Sequence, residues 1–481
     1  MPSKHHSSVG GCKLQIRVTG VDLELHNCTT RIPFRFGIHT LTEAPMAVVS
    51  LTAETSDGTA LAGWSSELLV PRWFEKNPDR TVEDDIRSLI DSIGSAGEIL
   101  TDGTLASVFD HYWRMLEARV LCVPVDAPDR LTRGFGCAIW ERAMMDATCR
   151  GVGLPFIEAL DCDLFRIDPA RFYPQLTDWQ FAPAPVPEKL AVRHTVGLLD
   201  ELETRSQDAP EDGLPVTLVE DIQRYGLCWF KVKVGGDPEQ DLERLERIAS
   251  ILSREADPEF RVTLDGNEQY PDPDLLAGVL AQLGHDSVGK NFVSRIVCIE
   301  QPVPRSRTFD EDATPALLDA IAPVIIDEAD HGPEAFPEAL RLGYRGVSTK
   351  NCKGVSRSIA HQGICDLHDG DCFISAEDLT NLPPWGLHQD LLTVAALGLH
   401  HVERNGHHYF RGLDHLPEPE VRELLSQHPD LYRPFENSGE LIIEDGHLAI
   451  GSLDCEGYGC TIEPTPEARS RHREDRTGEN G

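Results

Sequence analysis

The chain has 481 residues, of which 40% are hydrophobic, and its formal net charge is −36. This length predicts two to three domains with at least one large core. The acidic balance argues against nucleic acids and anionic membranes as partners, because both bind surfaces rich in lysine and arginine; it is typical of an acidic cytoplasmic enzyme or of a protein from a salt-adapted host.

The first fifteen residues contain no apolar stretch of the kind found in a secretory signal, and no run approaches 18 apolar residues. We therefore expect a cytoplasmic protein with no membrane span. The 13 cysteines are an odd number scattered through a large chain, which predicts reduced core residues and not a disulfide framework. Cys455 and Cys460 form a C-x4-C pair without a second pair, so they do not by themselves indicate zinc.

Residues 13–70 are rich in predicted strands. KLQIRVTGVDLEL alternates apolar and polar residues, and AVVSLTAET and ALAGWSSELLV flank a Ser-Asp-Gly turn. Helical patterns follow, at TVEDDIRSLIDSIGSAGEIL with Thr81 as the cap and at GCAIWERAMMDATCRG ending on Gly151. Strands followed by helices predict a separate α+β domain over residues 1–150.

The next part of the chain alternates strand-like and helix-like segments. A proline-rich linker at 160–190 leads to a candidate first strand at 191–200, and PEQDLERLERIASILSREA is the clearest helix between later strands. We predict a barrel domain over residues 151–415. Residues 415–461 are expected to return to the N-terminal domain, and residues 462–481 to form a disordered tail.

Six strand-like segments in the second half of the chain each end in an ionisable residue. They read CWFKVKVGG, RVTLDGN, RIVCIEQP, PVIIDEAD, GVSTKN and CFISAED. From Asp265 onward the tips lie 23 to 35 residues apart, which is the length of one strand–helix unit. The pattern predicts a (β/α)8 barrel, whose active site forms at the carboxyl ends of the strands. The tips are Lys231 and Lys233, Asp265, Glu300, Asp327, Lys350, and Glu377 and Asp378.

The first tip carries two lysines. Lys231 and Lys233 are one residue apart, so in a strand both face the same side. Their proximity should lower the pKa of at least one of them, which would make that lysine a base near neutral pH. The alternative is an edge strand with two solvated lysines, but the apolar and aromatic neighbours favour a buried strand.

The next three tips are carboxylates. If Asp265, Glu300 and Asp327 converge in a barrel mouth, they repel one another unless a cation neutralises them, and oxygen ligands of this kind suit Mg²⁺ or Mn²⁺. Each residue taken alone is equally typical of a turn. The three together at barrel spacing predict a metal site.

The remaining tips lie across the predicted barrel. Lys350 is opposite the Lys231/Lys233 strand, which places bases on two faces of one substrate; its alternative is a salt bridge to Asp327 or Glu328, and the two roles are compatible. Glu377 and Asp378 would bind substrate or act as a second acid, or they would cap the following helix, which we favour.

These residues resemble the enolase superfamily, specifically its mandelate racemase/muconate lactonizing enzyme branch. The resemblance rests on K-x-K at Lys231 and Lys233, LDGN at Asp265, IEQP at Glu300, DEA at Asp327 and TKNCKG at Lys350. It extends to IPFRF, DGTALAGWSSE and AIWERAMMDATCRGVGLP, and covers residues 13 to 415.

The resemblance implies a (β/α)8 barrel with an N-terminal α+β capping domain, and a homo-oligomer. It implies that Asp265, Glu300 and Asp327 bind Mg²⁺, with Asn267 and Glu328 beside them. The metal would bind a small carboxylate substrate, Lys233 would remove the proton α to the carboxylate, and the resulting enediolate would be stabilised. Lys350 would serve the opposite face, and Lys231 would tune Lys233 or hold the carboxylate.

Some details differ between this sequence and the family pattern. Lysine is retained at Lys233, and no Asp–His pair replaces Lys350, which favours the muconate-lactonizing-like subgroup. Only Gly354 follows Lys353, where the family commonly has two glycines. In this family specificity comes largely from capping-domain loops, so the resemblance gives four candidate substrate contacts: Arg35, His39, Arg72 and Trp73.

The function expected is that of an isomerase: a racemase, epimerase or cycloisomerase. A lyase, such as an acid-sugar dehydratase or a succinylbenzoate-synthase-like enzyme, shares the first half-reaction and stays open. A Schiff-base aldolase with Lys350 as nucleophile would not need three carboxylates, and a non-catalytic binding protein would not need the full set. The sequence has no nucleotide-binding G-x-G-x-x-G, P-loop, G-x-S-x-G or H-E-x-x-H motif.

Overall fold

The computed structural model describes residues 14–464. The N-terminal segment 1–13 and residues 465–481, which make up most of the predicted tail, lie outside the described residues. Within residues 14–464, no helix is long and apolar enough to cross a membrane. The twelve cysteines in this part of the chain are all free, as their scattered positions predict.

The N-terminal part is an antiparallel sheet packed against three helices, as predicted. The sheet order is β3-β2-β1-β4, and its long hairpin pairs Ile16 with Thr55. The elements are β1 Ile16–Phe36, β2 His39–Thr55, β3 Ala60–Leu68, α1 Val82–Leu100, β4 Leu105–Ala106, α2 Val108–Arg119 and α3 Arg130–Val152.

The ends of these helices test the sequence signals. Helix α1 starts at the predicted cap, where Thr81 and Asp84 form a reciprocal capping box. Helix α3 does not end at Gly151; it continues to Val152 and ends at Gly153, whose φ of 69° is left-handed. Gly151 has a different role, because a Cβ there would lie 2.1 Å from the side chain of Leu61 on β3. A larger residue at this position would therefore require the Leu61 side chain to move.

Eight parallel strands form a nearly closed barrel, which confirms the predicted fold class. From the first to the seventh strand each pairs with the next in the chain, and the eighth pairs with the first, so the ladder is open only between the seventh and the eighth. Between the seventh and eighth strands the Asp378 amide donates to the Glu403 carboxylate. The strands are β5 Lys189–Val196, β6 Trp229–Lys233, β7 Arg261–Asp265, β8 Ile296–Glu300, β9 Val324–Ile326, β10 Gly346–Thr349, β11 Phe373–Ala376 and β12 His401–Arg404.

Helices connect these strands and cover the outside of the barrel. The clearest predicted helix appears as α6, with its apolar stripe buried. The helices that follow the N-terminal part are α4 Phe156–Asp161, α5 Leu218–Tyr225, α6 Pro238–Glu255, α7 Pro273–Leu283, α8 Ser287–Ser294, α9 Ala316–Asp319, α10 Ala335–Arg341, α11 Val355–Leu367, α12 Trp385–Ala396, α13 Gly406–Tyr409 and α14 Glu418–Gln427.

The segment after the barrel contacts both parts of the molecule. It contains a hairpin of β13 Tyr432–Phe435 and β14 Ser438–Leu441, and β15 His447–Ala449, which pairs antiparallel with β5. Farther on, the Tyr458 ring stacks on Phe156 at 3.7 Å, and Arg150 of α3 donates to the Thr461 carbonyl. The C-terminal segment therefore ties a barrel strand to a helix of the N-terminal part.

Candidate active site

Buried ionisable side chains gather at the carboxyl ends of the barrel strands. Strands β6, β7, β8 and β12 carry them within their last three residues, and β9, β10 and β11 are each followed by one. All are at most 6% exposed. They are Lys231, Lys233, Asp265, Glu300, Asp327, Lys350, Glu377 and Glu403. Of these eight, the strand-tip pattern missed only Glu403, because no strand was predicted over residues 401–404.

Lys231 lies at the centre of this group. Its Nζ is 2.6 Å from Glu300 Oε2, 2.6 Å from Glu377 Oε2, 2.9 Å from Glu403 Oε2 and 3.0 Å from Asp265 Oδ2. Burial lowers the pKa of Lys231, but the four carboxylates more than offset this and hold the pKa well above its ordinary value. The prediction that a lysine neighbour lowers this pKa is therefore wrong for Lys231.

The other two lysines pair with carboxylates on opposite sides of the barrel. Lys233 Nζ donates to Asp265 Oδ2 at 2.5 Å. Lys350 Nζ donates to Asp327 Oδ2 at 2.6 Å and lies 3.8 Å from Glu300 Oε1. Burial opposes ionisation of Asp327, but Lys350 and the neighbouring Lys353 hold its pKa well below the usual range. The predicted salt bridge of Lys350 with Asp327 is thus present.

Glu300 is the least satisfied member of the group. Both of its carboxylate oxygens are buried without a well-directed hydrogen bond, and their charged neighbours are Lys231 Nζ, 2.6 Å from Oε2, and Lys350 Nζ, 3.8 Å from Oε1. Burial raises the pKa of Glu300 well above its usual value, and repulsion from Asp265 and Glu377 adds to the effect. The oxygen of the Asn267 side-chain amide is also buried and unpartnered. Unsatisfied oxygens beside three carboxylates fit a hard divalent cation such as Mg²⁺.

The ammonium groups of Lys231 and Lys350 lie between the three predicted ligands. Asp265, Glu300 and Asp327 are not among the clusters of the described chain in which three ligand atoms all lie within 4.8 Å of one another. Binding of a divalent cation would therefore exchange lysine contacts for metal contacts at these oxygens.

A narrow cavity opens onto this group from the N-terminal part. Trp73 lines it, and its ring centroid lies 4.6 Å from Lys350 Nζ. The indole N–H of Trp73 is buried without a partner. Phe34 and Phe36 of β1 add apolar walls, and Lys233 lines the barrel side. The cavity thus joins a lysine from β6 and a lysine from β10 under an aromatic cover.

Solved structures of similar fold share this architecture. An enolase from Bradyrhizobium, complexed with magnesium and mandelic acid, is 15% identical with a TM-score of 0.59, over 94% of this chain and 97% of that chain. A muconate lactonizing enzyme from Pseudomonas fluorescens, complexed with muconolactone, is 16% identical with a TM-score of 0.58, over 94% and 97%. A dipeptide epimerase from Enterococcus faecalis, complexed with Mg and L-Leu-L-Tyr, is 14% identical with a TM-score of 0.60, over 92% and 99%.

This chain has the fold of the mandelate racemase/muconate lactonizing enzymes. Neither a protein-family model nor a curated protein sequence matches it significantly. The similarity is thus one of architecture over nearly the whole length of each chain, at low sequence identity.

Three of the four substrate contacts predicted in the N-terminal part do not line the cavity. Among the four, Trp73 lines the cavity, but Arg35, His39 and Arg72 do not. Arg35 is exposed. Arg72 donates to the Asn77 carbonyl at 2.6 Å and lies 3.4 Å from Asp85, so it anchors its own loop. Burial and the nearby Arg72 charge lower the pKa of His39.

Glu377 and Asp378 do not cap the following helix, contrary to the prediction. Helix α12 begins at Trp385, and its N-terminus has no side-chain cap. Glu377 is buried inside the barrel, where it accepts hydrogen bonds from Lys231 and Arg193. Asp378 lines the cavity and accepts from the Asn381 amide at 2.8 Å.

Asn267 and Glu328, the two residues predicted to lie beside the metal ligands, contact each other. The Asn267 side-chain amide donates to Glu328 Oε1 at 3.3 Å. Lys76, from the loop after β3, donates to the Asn267 carbonyl at 2.6 Å and lies 3.4 Å from Glu328. The sequence analysis missed Lys76, because a lysine in a polar loop carries no local signal of burial. Lys76 therefore links the loop that carries Trp73 to Glu328, the residue that follows the third predicted ligand, Asp327.

Proposed function

We propose that this chain is a magnesium-dependent enzyme that removes the proton α to the carboxylate of a small substrate. Asp265, Glu300 and Asp327 would hold the ion. Bound Mg²⁺ would act as a Lewis acid on the substrate carboxylate and offset the negative charge of these three side chains. The buried oxygens of Glu300, which have ion-pair contacts but no well-directed hydrogen bond, support this assignment.

One observation carries the reaction type. Lys233 on β6 and Lys350 after β10 both line the cavity. Their strands are four apart in a ring of eight, so the two amines lie on opposite sides of a substrate placed between them. A neutral amine on one side would take the proton from the α carbon, and the ammonium on the other side would return one to the opposite face. Two such groups favour a racemase, epimerase or cycloisomerase over a lyase.

Other groups support these two lysines. Lys231 lies among four carboxylates and does not line the cavity, so it would balance charge and not touch substrate. Trp73 closes the cavity over Lys350 and offers an unpartnered N–H to a substrate oxygen. The aromatic cover would also exclude water from the α carbon.

Exchange of the α proton in D₂O tests this proposal. The protein would be incubated with Mg²⁺ and a panel of 2-hydroxy acids, N-acylamino acids, dipeptides and muconate-type acids, and the α-proton signal followed by NMR. We expect washout for at least one class, with inversion or cycloisomerisation of the product. Loss of water from the product would instead assign the lyase. Absence of α-proton exchange across the panel with the native protein, together with a Lys350 adduct trapped by borohydride, would support the aldolase and overturn the proposal.

A further inference from the structure

A second group of buried ionisable side chains lies on the outer side of β5, away from the cavity. His194 in β5, Asp221 in α5 and His408 in α13 each place one ligand atom within 4.8 Å of the other two. All three are at most 2% exposed. His194 points outward because its neighbours Arg193 and Thr195 bind carboxylates inside the barrel.

The carboxylate of Asp221 is poorly satisfied. Both of its oxygens and both ring nitrogens of His408 are buried without a well-directed hydrogen bond. A buried carboxylate in this position is strongly unfavourable unless a cation pairs with it. Either a protonated His408 or a metal ion could supply the positive charge, and the geometry distinguishes them.

The spacing of the ligand atoms fits a metal ion. His408 Nδ1 lies 3.0 Å from Asp221 Oδ2, and His194 Nε2 lies 3.8 Å from the same oxygen. Ligand atoms about 2.0 Å from a tetrahedral zinc are roughly 3.3 Å from one another. The two measured distances lie on either side of that value. A second imidazole, that of His194, faces the same oxygen, which an ion pair between Asp221 and His408 does not require.

The surrounding groups orient the imidazoles as they do in metal sites. His194 Nδ1 lies 3.0 Å from His407 Nε2, which leaves His194 Nε2 facing Asp221. On the far side, His408 Nε2 lies 3.9 Å from Asp200, which Tyr409 holds by a hydrogen bond. A hydrogen-bonded outer partner, as His407 is to His194, fixes the orientation of a metal-binding histidine.

We propose that His194, Asp221 and His408 bind a divalent transition-metal ion, and that Zn²⁺ is its natural occupant. Two imidazole nitrogens and a carboxylate suit zinc and do not suit magnesium. The site is closed to solvent and joins β5, α5 and α13. Arg31 of β1 donates to the His408 carbonyl at 2.9 Å, so the same point also contacts the N-terminal sheet. The role of the ion is therefore to stabilise the junction between these elements.

The other histidine cluster of the described chain is a matched control. His388, His428 and Cys460 also place ligand atoms within 4.8 Å of one another. Both ring nitrogens of His388 already have partners, the Gly459 carbonyl at 2.7 Å and the Tyr432 hydroxyl at 2.7 Å. No carboxylate in this cluster needs a counter-charge. His388 is therefore satisfied as a hydrogen-bonded ring, and only Nε2 of His428 is buried without a partner.

The metal content of the purified full chain tests the proposal. Protein dialysed against Mg²⁺ and a weak chelator would be analysed by mass spectrometry for zinc. We expect one zinc per chain in the native protein and in the controls Cys460→Ser and Glu300→Gln, and loss of most of it in Asp221→Asn and His408→Gln. Zinc lost from either control but kept in Asp221→Asn would overturn the assignment.

A second measurement does not depend on how the variants fold. Removal of metal from the native protein with a strong chelator should lower its Tm by several degrees, and one equivalent of Zn²⁺ should restore it in the presence of excess Mg²⁺. Native protein that neither contains zinc nor changes its Tm with zinc would show that the cluster is only an Asp221–His408 ion pair.

Discussion

Replacing Lys231 with methionine removes the ammonium group that four buried carboxylates share. Methionine keeps the length and apolar stem of lysine, so packing changes little. Lys233 still faces Asp265, and Arg193 still faces Glu377. Glu300 loses its 2.6 Å contact and keeps only Lys350 at 3.8 Å.

The cost follows from the burial of these groups. Removing one partner of a buried ion pair costs about 3–5 kcal/mol, because an uncompensated charge remains. The entropy of unfolding of 481 residues is about 1 kcal/mol per degree, from roughly 2.1 cal/mol/K per residue. We therefore expect Lys231→Met to lower the Tm by about 3–5 °C at neutral pH without metal.

Magnesium should reverse this loss more strongly in the variant than in the native protein. In Lys231→Met, Mg²⁺ no longer has to displace the Lys231 ammonium group from the oxygens of Asp265 and Glu300. The assay is a thermal melt monitored by circular dichroism, with and without Mg²⁺, and Lys290→Met is the control because Lys290 is exposed on α8. If the variant melted within about one degree of the native protein, or if Mg²⁺ raised both Tm values equally, the charge-sharing argument would be refuted.

Three further predictions concern the cavity and a buried glutamate. Lys233→Ala and Lys350→Ala should each abolish turnover while Mg²⁺ binding, measured calorimetrically, persists; two fully active variants would exclude the two-base proposal. Trp73→Phe should raise KM about 3- to 10-fold with little change in kcat, because one neutral hydrogen bond to substrate is lost; an unchanged KM would remove the indole from substrate binding. Burial raises the pKa of Glu141 to about 7, against hydrogen bonds from Ser356. The contribution of Glu141 to the free energy of unfolding is therefore complete below about pH 4.5, and it is lost, by roughly 3 kcal/mol, as the pH rises through 7. Urea unfolding of Glu141→Gln should show a flatter pH profile over this range. A profile identical to that of the native protein would contradict the raised pKa.

The barrel and its ring of ionisable residues could be predicted because both follow from local patterns. A charged residue at the end of an apolar strand has few places to lie except the carboxyl end of a parallel sheet. Glu403 was missed because no strand was predicted over residues 401–404, where β12 lies; in the structure Glu403 is hydrogen-bonded to Thr195 inside the barrel.

The cover over the barrel could not be predicted in the same detail. Arg72 and Trp73 are adjacent in one loop, yet only Trp73 lines the cavity. The backbone of Arg72 is left-handed, with a φ of 63°, and its guanidinium donates to carbonyls of its own loop. Such loop conformations depend on tertiary contacts and not on residue type. The domain boundaries, the cytoplasmic location and the homo-oligomeric state stay predictions from the sequence.

A crystal structure grown with Mn²⁺, analysed by anomalous scattering, tests the central claim most directly. We predict one strong peak bonded to oxygens of Asp265, Glu300 and Asp327, with the Lys231 ammonium displaced from Glu300 and with Lys233 and Lys350 on either side. A structure in which the lysines keep their contacts with these carboxylates, and in which no peak lies among them at saturating Mn²⁺, would contradict the account.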